Sequence, residues 1–204
     1  MYRKTILMAI CAMLICTALY GYRVHTEQRQ IADRLVRLHI VANSDTAQDQ
    51  DLKLQVRDAL LPEISALTAR CGNRKEAEAV LQQHLPELTA LAQRVLRQTG
   101  SEQTVTARLS TELFPRREYE TFSLPAGSYR TLRITLGEGQ GHNWWCVAFP
   151  ALCTLSASQQ EEALEAANFT RAQRDLLTGE DMTVELKFKS LELWKQLRQW
   201  LQAH

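Results

Sequence analysis

Apolar residues in the middle of the chain recur every three or four positions, a spacing that predicts amphipathic helices. The pair Asp45 and Gln48 resembles a capping box and predicts the start of the first helix. That helix either runs through Pro62 with a kink or restarts there, and Asn73 with Glu76 predicts the start of a second. The core-facing stripes are Leu52, Val56, Ala59 and Leu60, then Ala77, Val80 and Leu81, then Leu88, Leu91, Ala92, Val95 and Leu96 in a third helical stretch that ends at Gly100.

Alternating or β-branched apolar runs elsewhere in the chain predict strands. The clearest is Tyr129–Leu136, in which Leu132, Ile134 and Leu136 share one face. The other strand candidates are Val36–Ala42, Thr104–Leu109, Tyr119–Leu124, Trp144–Phe149 and Val184–Phe188, and helices are predicted over Gln159–Leu177 and Leu191–Leu201. These elements predict an α/β (α+β) fold, with helices packed on a mostly antiparallel or mixed sheet in a single domain.

The first 23 residues differ in kind from the rest of the chain. Arg3 and Lys4 precede Ile6–Tyr20, a run of fifteen residues without charge. A basic flank before a short apolar run is typical of a signal peptide or an N-terminal membrane anchor. The run falls short of the ~20 residues that span a bilayer comfortably. We therefore divide the chain into a signal peptide or anchor at 1–23 and an exported α/β domain at 24–204, and the pattern leaves open whether the segment is cleaved.

The net charge and the cysteines limit the functions and the disulfides that the chain can have. The 24 basic and 23 acidic residues leave a net charge of +1, which argues against nucleic-acid binding because that requires a basic face. Export would place Cys71, Cys146 and Cys153 outside the cytoplasm, an odd count that permits one bridge and one free thiol. Cys146 and Cys153 are the candidate disulfide because they would close a short loop, although their spacing does not reveal their redox state.

The segment 137–153, GEGQGHNWWCVAFPALC, is dense in chemically active residues. Its three glycines resemble a phosphate loop, but His142 stands where a dinucleotide fingerprint needs its third glycine, and no helix pattern follows. His142, Cys146 and Cys153 lack the spacing of a zinc site. We therefore expect no cofactor and no metal, and we assign the glycines to a tight turn or a close backbone approach.

A cysteine nucleophile is the main catalytic alternative. Cys146 would need His142 or His39 as its base, with Asn143 or Asp45 to orient that base. The spacing matches no known nucleophile signature, and burial beside the tryptophans would raise the pKa of the thiol. An exported cysteine-dependent hydrolase acting on cell wall or peptide is thus the alternative function.

Two further features have a structural and a functional interpretation. The polar residues 43–45 follow the first predicted strand, where helix capping alone explains them, while a contact edge at the strand end is the functional interpretation. His39 lies inside that strand, which favours a structural role. Trp144 and Trp145 face opposite ways if the backbone is extended, so that one would lie in the core and the other would be an exposed protein-binding hot spot.

The chain resembles the stage II sporulation protein R family of endospore-forming bacteria in two stretches. These are VRLHIVANSDTAQDQDLKLQVRDALL (Val36–Leu61) and FSLPAGSYRTLRITLGEGQGHNWWCVAFPALC (Phe122–Cys153), and the intervening LFPRREYETFSLPAG also fits. The specific motifs are R-L-H-x-x-A-N-S-D and G-E-G-x-G-x-N-W-W-C. The resemblance covers roughly Val36 to Cys153 and is weak after Leu155, and Ala151 stands where a second proline is expected.

The resemblance implies a signalling protein and not an enzyme. Members of the family are made in the forespore and exported into the space between the two septal membranes. There they switch on a membrane-embedded aspartic protease of the mother cell, which removes the pro-sequence of sigma-E. The expected partners are this protease and, through the N-terminal segment, the membrane, with no nucleic acid and no small-molecule substrate. The candidate partner-binding residues from the two motifs are Arg37, His39, Asn43, Ser44, Asp45, Glu138, Asn143, Trp144 and Trp145.

Overall fold

The computed structural model describes residues 2–178, which form six α-helices and six strands. In chain order these are α1 (Tyr2–Ala32), β1 (Val36–Val41), α2 (Ala47–Thr68), α3 (Arg74–Gln83), α4 (Leu85–Gln98), β2 (Val105–Phe114), β3 (Arg117–Glu118), β4 (Ser123–Leu124), β5 (Gly127–Leu136), β6 (Asn143–Phe149), α5 (Ala157–Ala166) and α6 (Arg171–Thr178), with a 3₁₀ turn at Leu152–Thr154. The predicted α+β fold is confirmed.

The main sheet has four strands in the order β2-β5-β1-β6. β1 pairs in parallel with β5, whereas β1–β6 and β2–β5 are antiparallel, so the sheet is mixed as predicted. All six residues of β1 are buried. A strand in the middle of a sheet that is covered on both faces is buried along its whole length, which accounts for the burial even of Arg37 and His39. β3 and β4 form a separate two-stranded hairpin.

Helices α2, α3 and α4 cover one face of the main sheet, here called the helix face. Leu38 and Ile40 of β1 lie on it in register with Leu132 and Ile134 of β5, and all four side chains are completely buried. Burying each such side chain contributes about 1.5–3 kcal/mol. Arg130 of β5 lies on the same face, where it forms an ion pair with a glutamate of α3. This ion pair with α3 shows that the face that carries Arg130 is the one that the helices cover.

The other face of the sheet, here called the polar face, carries the alternate residues of the same strands. Arg37 and His39 of β1 lie on it, flanked by Arg133 of β5 and by Asn143 and Trp145 of β6. The β3–β4 hairpin lies over the end of this face that holds Arg37. The polar face therefore combines two candidate residues from the first motif with two from the second.

Several predicted boundaries need correction. Helix α2 is capped by Thr46 and not by Asp45, because the Thr46 hydroxyl accepts the backbone N–H of Asp49. The predicted strand Tyr119–Leu124 is wrong, because these residues form most of the β3–β4 hairpin, in which Tyr119 N donates to Phe122 O. The long helix predicted over Gln159–Leu177 is interrupted between α5 and α6, where Asn168 has φ 63°.

Other local predictions are confirmed. Asn73 caps α3 by accepting the N–H of Glu76, and α2 continues through Pro62. Gly100 ends α4 with φ 76°, the left-handed conformation of a helix C-cap. The predicted elements Val184–Phe188 and Leu191–Leu201 lie outside the described residues.

The N-terminal segment belongs to α1, which continues beyond the predicted 1–23 boundary to Ala32. Its last turn joins the domain, since Ile31 is almost fully buried in the core beside Leu35. In the described range, 2–178, no helix has the length and hydropathy needed to cross a membrane.

Candidate functional site

The two sequence motifs meet at one end of the sheet. After β1 the chain forms a loop at 42–46, and between β5 and β6 it forms the glycine turn at 137–142. Gly141 N donates to Ala42 O at 2.9 Å, and Gln140 N donates to Asn43 O at 3.0 Å. We call this contact between 42–49 and 137–142 the motif junction. It exists because β1 and β6 are neighbours, so that the loop after one and the loop before the other lie at the same edge.

Two of the glycines are required by this close approach. Gly137 has φ 54°, and a Cβ there would collide with the Oδ1 atom of Asn43. A Cβ at Gly141 would collide with the carbonyl oxygen of Ser44. The Asn43 side chain fills the turn and accepts the N–H of Glu138 at 3.0 Å. The glycines therefore serve both roles predicted for them, because Gly137 and Gly139 have the positive φ of a tight turn and Gly141 allows the close backbone approach.

Asp49 holds the motif junction together from beneath. Its Oδ2 accepts the Ser44 hydroxyl at 2.5 Å and the Asn43 amide at 2.9 Å, and its Oδ1 accepts the amide of Gln103 at 2.6 Å. The hydrogen bond from Ser44, with those from Asn43 and Gln103, lowers the pKa of the buried Asp49 carboxyl despite its burial. Sequence analysis missed Asp49. Its position three residues after a threonine at a helix start was the available signal.

Asp45 and His142 close the outer side of the junction. Asp45 Oδ1 accepts the backbone N–H of His142 at 2.6 Å and lies 2.5 Å from Nδ1 of its ring. Lys53 of α2, a buried cation, donates to His142 O at 3.0 Å and to Gln50 Oε1 at 2.5 Å. Burial lowers the pKa of Lys53. Capping of α2 is thus not the role of residues 43–45, because their side chains bind the junction instead.

His39 is the centre of a hydrogen-bonded cluster on the polar face. Its Nδ1 lies 2.7 Å from Glu112 Oε2, and its Nε2 lies 2.7 Å from Asn143 Oδ1. Glu112 also accepts the Ser110 hydroxyl at 2.8 Å and lies 3.5 Å from Arg133 Nη1. Each ring nitrogen therefore faces a side-chain oxygen in this orientation of the Asn143 carboxamide.

The pKa shift of Glu112 agrees with its contacts in this cluster. Burial opposes ionisation of the carboxyl, but the hydrogen bonds from His39 and Ser110 and the positive charges nearby hold its pKa below the usual range. Sequence analysis missed both Glu112 and Arg133. They lie on strands that are distant in sequence from His39, and neither is part of the two motifs. Only the pairing of β1 with β5 and of β5 with β2 brings the three side chains together.

Arg37 is completely buried and lies beneath the β3–β4 hairpin. Its guanidinium carbon is 4.0 Å from the centre of the Phe114 ring and 5.1 Å from that of Tyr129, and Nη2 donates to the Tyr119 hydroxyl at 2.5 Å. Burial lowers the pKa of this guanidinium. In the described chain, its Nε and Nη1 have no hydrogen-bond partner. Arg37 therefore contributes cation–π packing under the hairpin and is not at the protein surface.

The two tryptophans point to opposite faces of the sheet, as predicted. Trp144 lies on the helix face, with the guanidinium carbon of Arg57 5.5 Å from its ring centre. Trp145 lies on the polar face, 5.9 Å from the His39 ring and beneath Arg117 at 4.3 Å. Both rings are half-buried and pack against the core. The prediction of one core and one exposed tryptophan is wrong because a cationic side chain covers each ring.

Cys146 lies on the helix face, completely buried, and forms a disulfide with Cys153 across a Cα–Cα distance of 6.2 Å. The hydrolase alternative therefore lacks its thiol, and His39 and Asn143 lie on the other side of the sheet. Cys71 is a half-buried free cysteine whose thiol pKa is raised by burial and by the nearby Glu76 carboxylate. Over residues 2–178, no three His, Cys, Asp or Glu side chains form a group that could hold a metal ion.

The structure thus divides the nine candidate residues into three groups. The junction contains Asn43, Ser44, Asp45 and Glu138; the polar face contains Arg37, His39, Asn143 and Trp145; the helix face contains Trp144. Two cavities of about 610 and 570 Å³ lie elsewhere on the described surface, and no candidate residue lines either of them.

Comparison with known proteins agrees with the resemblance seen in the sequence. The profile of the family described as stage II sporulation protein R matches residues 32–159, more than half of the chain. The chain is also 37% identical to stage II sporulation protein R of Bacillus subtilis (strain 168) over 171 residues, which are 80% of this chain and 76% of that protein. No solved structure matches it. The chain, with both motifs inside the matched region, belongs to the stage II sporulation protein R family.

Proposed function

We propose that this sporulation protein is a signal exported from the forespore into the space between the two septal membranes. There it activates the membrane-embedded aspartic protease of the mother cell that processes pro-sigma-E. The observation that carries the proposal is membership of the family, over a match that contains both sequence motifs. The geometry of those motifs is consistent with a ligand, because they build a hydrogen-bonded surface.

Three structural findings support a ligand over a catalyst. Cys146, the nucleophile of the alternative function, is held in a disulfide on the helix face. The side chains of the junction bind within the junction itself, because Asp49 and Asp45 accept hydrogen bonds from the loops around them. The two cavities are lined by residues outside both motifs. A protein partner can bind a hydrogen-bonded surface without a cavity, whereas a small substrate needs a concave pocket.

Export is proposed from the N-terminal segment. Arg3 and Lys4 flank the uncharged run Ile6–Tyr20, the arrangement of a signal peptide or N-terminal anchor. The signalling domain of 24–204 would then be delivered outside the forespore membrane, either free or held by the segment. A domain with a net charge near zero suits recognition of a specific receptor, since it has no general attraction to polyanions.

Activation requires the ligand to bind the active state of the protease more tightly than the inactive state. A tenfold preference corresponds to about 1.4 kcal/mol, and moving a receptor from 1% to 99% active takes about 10⁴-fold. The hydrogen bonds that hold the junction together favour affinity, because a preorganised surface loses little entropy on binding, and the preference for the active state must come from contacts that only that state offers. Bridging two protease subunits with one ligand is one way to obtain this difference.

Reconstitution tests the proposal directly. The protease and its pro-sigma-E substrate are placed in vesicles, and the full chain is added on the side of the protease that faces the intermembrane space. We expect cleavage that rises with the concentration of the chain and then saturates. A protease without its catalytic aspartates is the control. Cleavage that persists with this control would show that the chain is itself the hydrolase, and absence of any stimulation would contradict activation.

A further inference from the structure

We infer that the polar face is a docking surface for an extended acidic segment of the partner, centred on a row of side chains that crosses the main sheet. This inference rests on the proposed function, because it assigns a binding face to the same ligand. The row is Trp145 on β6, His39 on β1, Arg133 on β5 and Arg108 on β2, and we call it the cross-sheet row. Each of these residues is the direct register partner of the next one along the row.

Charge is the first argument for an acidic occupant. Arg108 and Arg133 face each other directly across the β2–β5 pair, and like charges in that position destabilise a sheet. Arg108 is exposed and forms no hydrogen bond or ion pair with the described chain. Arg133 donates to a threonine hydroxyl at 3.2 Å and lies 3.5 Å from Glu112. A carboxylate placed between the two guanidiniums would relieve this repulsion.

The neighbourhood offers little negative charge to do so internally. Among the strand residues of the main sheet that lie on this face, Glu112 is the sole acid, and its two carboxylate oxygens already accept from Ser110 and His39. Arg117 adds a further exposed cation at the Trp145 end of the row, stacked 4.3 Å from the ring centre. The face is therefore basic on a chain whose net charge is only +1.

The polar groups around the row favour a polypeptide over a membrane. Exposed Thr106 and Asn143, with half-buried Thr135, can donate and accept hydrogen bonds beside the arginines. Among the described residues, the large exposed hydrophobic side chains lie in α1 and at Leu54 and Leu113, and none is on the polar face. A membrane surface gains only about 1 kcal/mol per basic residue and usually needs apolar side chains to insert as well. An acidic peptide gains from every hydrogen-bonding group on the face.

Charge reversal at Arg108 is the test, because this side chain is exposed and has no hydrogen-bond or ion-pair partner among residues 2–178, so that its replacement should leave the fold intact. Arg94→Glu is the matched control, since Arg94 is an exposed arginine on α4, in the layer behind the helix face. The full chain activates the reconstituted protease in two vesicle types, neutral phosphatidylcholine alone and phosphatidylcholine with 30% phosphatidylglycerol. The quantity measured is the chain concentration that gives half-maximal cleavage, at about 50 mM and about 500 mM salt.

We expect Arg108→Glu to raise that concentration about tenfold in both vesicle types at low salt, with a smaller increase at high salt and no change for Arg94→Glu. A defect restricted to vesicles containing phosphatidylglycerol would make anionic lipid the occupant and overturn the inference. Equal behaviour of the two variants beside an active wild type would overturn it while leaving the proposed function intact. An inactive wild type would instead contradict the proposed function itself. Arg108→Gln should give an intermediate defect.

Discussion

Replacing Gly141 by alanine tests whether the two motifs are as tightly joined as the hydrogen bonds indicate. The added Cβ would collide with the carbonyl oxygen of Ser44, which is backbone and cannot rotate away as a side chain can. The loop at 42–46 must therefore separate from the glycine turn. The backbone bonds from Gly141 to Ala42 and from Gln140 to Asn43 then lengthen or break.

The cost follows from these contacts. Two backbone hydrogen bonds contribute about 0.5–1.5 kcal/mol each, and overpacking a rigid site costs about 1–3 kcal/mol. The free energy of unfolding should therefore fall by about 2–6 kcal/mol. In a chain of this size, a loss of about 3 kcal/mol lowers the melting temperature by roughly 6–12 °C.

Urea denaturation followed by tryptophan fluorescence measures this loss, because Trp144 and Trp145 lie two and three residues after the junction. Gly72→Ala is the matched control. An alanine Cβ there meets only the Glu76 carboxylate at 3.6 Å, an ordinary contact, and the unfolded chain loses entropy, so that stability stays equal or rises by about 0.4–1 kcal/mol. If Gly141→Ala and Gly72→Ala differ by less than about 0.5 kcal/mol, the two motifs do not depend on each other for their positions.

Three other predictions concern charge, the disulfide and the histidine cluster. The pKa of Asp49 is lower in the folded than in the unfolded chain, so its contribution to stability is present above the unfolded value near 3.9 and is lost as the pH falls through the folded value; the stability gap between wild type and Asp49→Asn should shrink between pH 6 and pH 3. The peptide containing Cys146 and Cys153 should be about two daltons lighter by mass spectrometry without reductant, and reduction should lower the stability by about 2–3 kcal/mol for so short a loop; a full-mass peptide from exported protein would contradict the bridge. His39→Ala removes a hydrogen-bond partner of the half-buried Glu112 carboxylate and should cost about 1–3 kcal/mol in urea denaturation, whereas His84→Ala, at a half-buried ring that lies 3.9 Å from Glu87, should change it by less than about 0.5 kcal/mol.

The sequence by itself determined the features that depend on neighbouring residues. The alternation of Leu132, Ile134 and Leu136 predicted β5 and its core face, and Asn73 with Glu76 predicted the start of α3. Periodicity and caps are local signals, because the contacts that cause them lie within one turn or one strand. The tight turn in the glycine segment was predictable for the same reason. The sequence did not predict that the Asn43 side chain fills that turn.

The tertiary structure alone decided how the motif residues are used. Glu112 reaches His39 from 73 residues away, and Asn143 reaches it from 104. Both contacts depend on the strand order, which local patterns leave undetermined. Trp144 and Trp145 are adjacent in sequence, and an arginine from an element distant in the chain lies over each ring. The sequence thus identified the two motif segments. Strand pairing decided which of their side chains form the junction and which lie on the polar face. The physical reason is that a side chain's role depends on the neighbours that the topology brings to it.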